Sequence, residues 1–150
     1  MLRFLETAIE KWPIAGRFTI ARGSRTEAVV VVATIREGPH AGRGESVPYA
    51  RYGETAEGTV AEIAAMAGPI GDGMDRDTLR RAMPAGAARN AIDCALLDLE
   101  AKRTGRRAAE IVGVAPLRPL VTAYTLSLGP PEAMEAAARA ASFRPLLKVK

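Results

Sequence analysis

Cysteine is almost missing from this chain. Cys94 is the single one among 150 residues, which excludes an intrachain disulfide framework and any zinc site built from several thiolates. Cys94 lies in the run Ala91-Ile92-Asp93-Cys94-Ala95-Leu96, where a small buried thiol is expected. Aromatic residues are scarce at 5%, so the core must be assembled from aliphatic side chains, and no row of rings is available for stacking nucleobases. Long apolar runs are lacking too. All fall well short of the ~20 residues that span a bilayer, and Glu6 and Glu10 interrupt the one early run that could have opened a leader. A reducing cytoplasm is the expected setting, with no membrane as partner.

What is present fits an ordinary globular chain. Hydrophobic residues make up 48% and charged residues 25%, a balance that argues against disorder. The net charge of +4 is uneven. The basic excess sits in the last third, on residues such as Lys102, Arg106, Arg118, Arg139, Lys148 and Lys150. A small basic nucleic-acid-binding protein is therefore one reading to weigh. An incomplete chain whose missing part is more acidic is another.

The pattern along the chain changes twice. Residues 2–9 read as a strand broken at Trp12-Pro13. Arg17–Ala21 reads as a second strand and Gly23–Thr26 as a loop. The β-branched run Ala28–Ile35 is the clearest strand of all. Turn chemistry follows at 37–42 and a short return at 44–47, giving an antiparallel meander. A helical block comes next. Thr55 can cap a helix through Val60 and Ile63 that Gly68-Pro69 would stop, and Asp75 can cap a second through Leu79 and Met83. A third runs from about Ala87 to Arg103, with Ala88, Ile92, Ala95 and Leu99 at helical spacing and Gly105 behind it. A short helix is expected at 108–112. After Pro116 the order becomes strand (Val121–Leu128), helix (opened by Pro130-Pro131-Glu132) and strand (Leu146–Lys150). Strand, helix, strand implies parallel pairing through a right-handed crossover.

The expected organisation is thus an α+β domain over residues 1–115 and the opening of an α/β domain over 116–150. One βαβ unit cannot cover both faces of its strands, and a complete barrel takes ~250 residues. The expectation is a truncated chain.

The triplet Lys148-Val149-Lys150 carries the most chemistry. On a strand its two ammonium groups share a face, with Cα atoms ~6.8 Å apart. Like charges held on one inward face repel, which favours loss of a proton from one of them, and a neutral lysine is a general base. From the triplet alone, a solvated strand end explains the same residues.

Context shifts that balance. The triplet follows Thr122-Ala123-Tyr124-Thr125-Leu126-Ser127-Leu128-Gly129, the helix Pro84–Leu99, and the earlier runs Ile20-Ala21-Arg22-Gly23-Ser24-Arg25-Thr26-Glu27 and Pro48-Tyr49-Ala50-Arg51-Tyr52-Gly53-Glu54. In this order, and over the whole 150 residues, they resemble the dipeptide epimerases acting on L-Ala-D/L-Glu, in the muconate-lactonizing subgroup of the enolase superfamily. The resemblance implies an α+β capping domain (antiparallel meander plus helices) followed by the first βαβ unit of a modified TIM barrel. Enolase-superfamily sites pair a lysine or histidine base with Mg²⁺ that holds the ene-diolate, a property of the superfamily rather than of any spacing read above.

By this resemblance Lys150 is the base on one face of the α-carbon, and Lys148 assists near the substrate carboxylate. Arg25 is the substrate-binding arginine of a capping loop, with Arg22 as the alternative, and Thr125 a substrate-binding residue ending the first barrel strand. Tyr49, Arg51 and Tyr52 fall on a second capping loop with no role assigned. No metal ligand is assigned within the chain. The Mg²⁺ ligands and the opposite-face lysine are expected beyond Lys150, so the chain alone is expected to be inactive. The expected partner is a small dipeptide, with no nucleic acid, and a homo-oligomer is left open. Within the same subgroup, a cycloisomerase or an o-succinylbenzoate synthase would use the same lysine. His40, Asp93 and Asp98 carry no assigned chemistry; Asp93 and Asp98 are expected to make polar contacts inside the cap.

Overall fold

The computed structural model describes residues 2–114 and 116–150. The expected boundary at residue 115 falls outside that description. Strands β1 (Arg3–Ile20), β2 (Gly23–Glu37) and β3 (His40–Ser46) form one antiparallel sheet in the order β1-β2-β3. The two-residue turn Ala21-Arg22 joins β1 to β2, a connection that only antiparallel neighbours allow. Strand β3 pairs with β2 from Val31↔Ser46 to Glu37↔His40. The α-helices among the described residues are α1 (Ala56–Ala65), α2 (Ala67–Gly71), α3 (Arg76–Ala82), α4 (Ala87–Thr104), α5 (Ala108–Ile111) and α6 (Pro131–Ala140). Strands β4 (Tyr124–Leu126) and β5 (Leu147–Val149) flank α6 and pair in parallel. No helix among the described residues is long and apolar enough to cross a membrane.

By internal packing the chain divides into two compact units. Met1–Lys11 and Val29–Pro116 make one, and Trp12–Ala28 with Leu117–Lys150 make the other. In the first unit Val31, Ala33 and Ile35 point from one face of β2 into a cluster with Ile63, Ile70, Leu79, Ile92 and Leu99, all buried. The buried positions of α4 follow the stripe read from sequence: Ala88, Ala91, Ile92, Ala95, Leu96 and Leu99. Strand β3 lies directly on this helix. A methyl group at Gly42 would meet the backbone of Ala95 and Leu99, and one at Gly44 the backbone of Ala91 and Ala95, so no residue but glycine fits either place. Asp98 reinforces the contact by accepting from the Arg43 backbone N–H (2.8 Å) and from Lys102 Nζ (2.7 Å).

Local signals explain the helix ends. Thr55 accepts from Gly58 N and Asp75 from Thr78 N, each satisfying an amide that has no partner within the helix. Gly105, at φ 67°, takes the left-handed position that closes α4.

Several segment boundaries differ from the sequence expectation. Strand β1 does not break at Trp12-Pro13 but continues to Ile20. It is an outer strand, and an edge has amide positions outside any ladder, where proline is tolerated. Residues 23–26, read as a loop, open β2. Gly68-Pro69 does not end the helical block. Pro69 sits in the first turn of α2, where its missing N–H would have had no partner. The strand expected over 121–128 is regular only at Tyr124–Leu126, and that over 146–150 only at Leu147–Val149. Cys94 is exposed rather than buried, because it falls outside the apolar stripe of α4.

Candidate active site

In the second unit, β4 and β5 align Tyr124 with Leu147, Thr125 with Lys148 and Leu126 with Val149. Side chains alternate across a strand and paired residues share a face. Thr125 and Lys148 therefore lie side by side on one face, with Tyr124, Leu126, Leu147 and Val149 on the other. Helix α6 packs against β4, and Leu126 and Ala141 are both buried. A cavity of about 350 Å³ lies between β4 and the end of α6. The Arg144 guanidinium sits there over the rings of Tyr124 (5.3 Å) and Phe143 (4.8 Å). Lys150 follows one residue after β5, and both lysines are exposed, while Thr125 is half-buried. Thr125 and Lys148 lie on the face of this strand pair opposite Leu126, which is buried.

The tip of the β1–β2 hairpin belongs to the same unit. Arg22 lies in its turn and Arg25 near the start of β2, both exposed. Two hydrogen bonds join the tip to the segment that follows β4. Ser127 Oγ donates to the Arg17 carbonyl (3.2 Å) and Leu128 N to the Thr19 carbonyl (3.0 Å). Across the hairpin, Thr19 Oγ1 and Ser24 Oγ are hydrogen-bonded at 2.9 Å. The arginine-bearing tip and the strand bearing Thr125 are thus directly connected.

In the first unit, the turn at Ala50–Tyr52 carries Tyr49, Arg51 and Tyr52, the two tyrosine rings 5.7 Å apart. Glu54 anchors it. Its carboxylate accepts from the Ala87 amide (2.7 Å), at the start of α4, and from the Tyr49 amide (2.9 Å). These two N–H donors, Ala87 foremost, hold the Glu54 carboxyl below its ordinary range. Asp93 is bound by Arg76 through two hydrogen bonds of 2.8 and 3.0 Å; it and Asp98 make polar contacts within the cap, but at its part-exposed surface rather than in its interior. Sequence reasoning passed over Ser127 and Glu54. Both sat inside quoted runs, but their partners lie 110 and 33 residues away, and no local pattern announces them.

Among the described residues no three His, Cys, Asp or Glu side chains converge as a metal site requires. The donor set present does not fit Mg²⁺.

Comparison with known proteins adds the family. Residues 4–113 match the N-terminal domain of mandelate racemase / muconate lactonizing enzyme. The chain belongs to this family. The L-Ala-D/L-Glu epimerase of Escherichia coli (strain K12) is 41% identical over 133 residues, covering 89% of this chain and 41% of the relative. A crystal structure of an enolase family member from Agrobacterium tumefaciens, described as having homology to dipeptide epimerases and containing sodium, L-Ala-L-Glu and an ordered loop, is 54% identical with a TM-score of 0.95. It covers 99% of this chain and 45% of that one. A dipeptide epimerase from Methylococcus capsulatus, complexed with Mg and L-Arg-D-Lys, is 30% identical with a TM-score of 0.82, over 99% of this chain and 46% of that one. The chain spans less than half the length of each of these relatives.

Proposed function

We propose that this chain supplies the capping domain and the first barrel strands of an epimerase that inverts the α-carbon of the second residue of a dipeptide such as L-Ala-L-Glu. The observation that supports this most is the β4–β5 register, with Thr125 beside Lys148 on the face away from α6 and Lys150 next in alternation. The substrates named for the relatives point the same way.

A proton α to a carboxylate is weakly acidic, so its removal needs a base placed on it and positive charge where the ene-diolate develops. Lys150 is the proposed base. The Lys148 ammonium supplies charge near the substrate carboxylate, and Thr125 helps orient the substrate. Arg25 binds a substrate carboxylate, for which its planar fork is suited. Mg²⁺ belongs to the proposal for the whole enzyme, with ligands outside the described residues. Residues 1–150 alone are proposed to be inactive.

The test is α-proton exchange of L-Ala-L-Glu in deuterated water with Mg²⁺, followed by NMR. Residues 1–150 alone should give no exchange above buffer. A chimera in which they replace the matching part of the Agrobacterium tumefaciens protein should be active, and Lys150→Ala in it should lower formation of the epimeric dipeptide by about 10²-fold or more. Unchanged epimer formation in that variant would remove Lys150 from the mechanism.

A further inference from the structure

We propose that Ser127 is a positioning residue that sets where the arginine-bearing hairpin tip stands relative to Thr125 and Lys148; this rests on the epimerase reading above. Ser127 lies one residue beyond β4 and two beyond Thr125. Its hydroxyl donates to the carbonyl of Arg17, on the β1 arm of the hairpin, and the next residue's amide donates to the carbonyl of Thr19. Thr19 is held in turn to Ser24 on the β2 arm, adjacent to Arg25. Two adjacent contacts therefore join the segment after Thr125 to the hairpin: Ser127 holds the β1 arm at Arg17, and Leu128 holds it at Thr19, which is bonded to Ser24 beside Arg25. Every member lies in one compact unit.

The strength of this tether suits an adjustable element. The Ser127–Arg17 bond is neutral and solvent-accessible, so its loss should loosen the tip without unfolding the protein. The neighbouring amide bond survives a side-chain change at Ser127, so the hydroxyl can be removed without breaking the whole joint. A displaced guanidinium loses the geometry for a two-pronged grip on a carboxylate. The expected consequence is weaker substrate binding, with little effect on the proton transfer that Lys150 performs.

Two measurements test the proposal. The first is hydrogen exchange of residues 17–25 in the 150-residue chain. Ser127→Ala should raise exchange there roughly two- to tenfold, the range of one neutral hydrogen bond, with no change in α4. Ser127→Thr, which keeps the hydroxyl, should restore the original rates. Equal exchange in all three proteins overturns the tether. The second is steady-state kinetics on L-Ala-L-Glu in the chimera, where Ser127→Ala should raise KM several-fold with kcat within about twofold and Ser127→Thr should return KM to its starting value. A loosened tip with unchanged KM overturns the positioning role. A chimera inactive with Ser127 intact counts against the epimerase reading instead, and the exchange rates then judge the tether alone.

Discussion

The two compact units differ in how far each encloses its own apolar side chains. In the first, Ile35, Ile63, Ile70, Leu79 and Ile92 are fully buried and Leu99 is 1% exposed. In the second, Leu126 and Ala141 are the buried apolar residues among those described, while Phe143 is 74% and Val149 67% exposed. An antiparallel sheet with helices on one face completes a core with few elements, whereas parallel strands need cover on both faces. The proposed catalytic residues belong to the unit with little enclosed core, where the hydrogen bonds of Ser127 and Leu128 join the hairpin to the segment after β4.

The largest effect that would sharpen this contrast is expected at the β3–α4 contact. Gly44→Val should cost about 3 kcal/mol or more in chemical denaturation, since its side chain must displace helix backbone. Gly129→Ala in the second unit, where the nearest atom to a new methyl is the Ala133 Cβ at 3.9 Å, should stay within about 0.5 kcal/mol. Similar costs at the two glycines would erase the distinction.

A smaller loss is expected at Glu37. Its carboxylate receives Arg3 Nε at 3.0 Å and Arg103 Nη1 at 2.9 Å, with its side chain 9% exposed. Glu37→Gln should cost about 2 kcal/mol, less than for a fully enclosed pair because the Arg103 side chain is 43% exposed and screened by water. Thermal melts in low and high salt would check this, the difference narrowing as salt rises.

The smallest effect concerns pH. The Glu54 carboxyl is held below the ordinary glutamate range by the Ala87 and Tyr49 amides. A lowered folded-state value means that its stabilisation is complete above the unfolded value and disappears as pH falls through the folded one. Glu54→Gln should therefore be less stable than the parent at neutral pH, and the gap should narrow as pH falls below the ordinary glutamate value of about 4.3. A gap that is constant from pH 7 to pH 3 would count against the charge of Glu54 as its source.

Much of the cap was legible from sequence because its signals are local. The stripe Ala88, Ile92, Ala95 and Leu99, the caps Thr55 and Asp75, and Gly105 all lie within a few residues of what they organise. The continuity of β1 through Pro13 was not legible, since whether a proline breaks a strand depends on which strands flank it. The parallel pairing of β4 and β5 followed from element order, and the lysine alternation from strand geometry. The links from Ser127 to Arg17 and from Glu54 to Ala87 exist only once distant segments meet.

The β1–β2 hairpin also bears on how such proteins can exchange parts. Its base is counted with the first unit and its tip with the second, so one pair of strands serves two modules. A genetic crossover near residue 116 would give the tip a foreign neighbour after β4 while its own arms stayed behind. Productive shuffling within the family would need to transfer the hairpin end together with the barrel strands, or to preserve the few backbone contacts that any sequence can make.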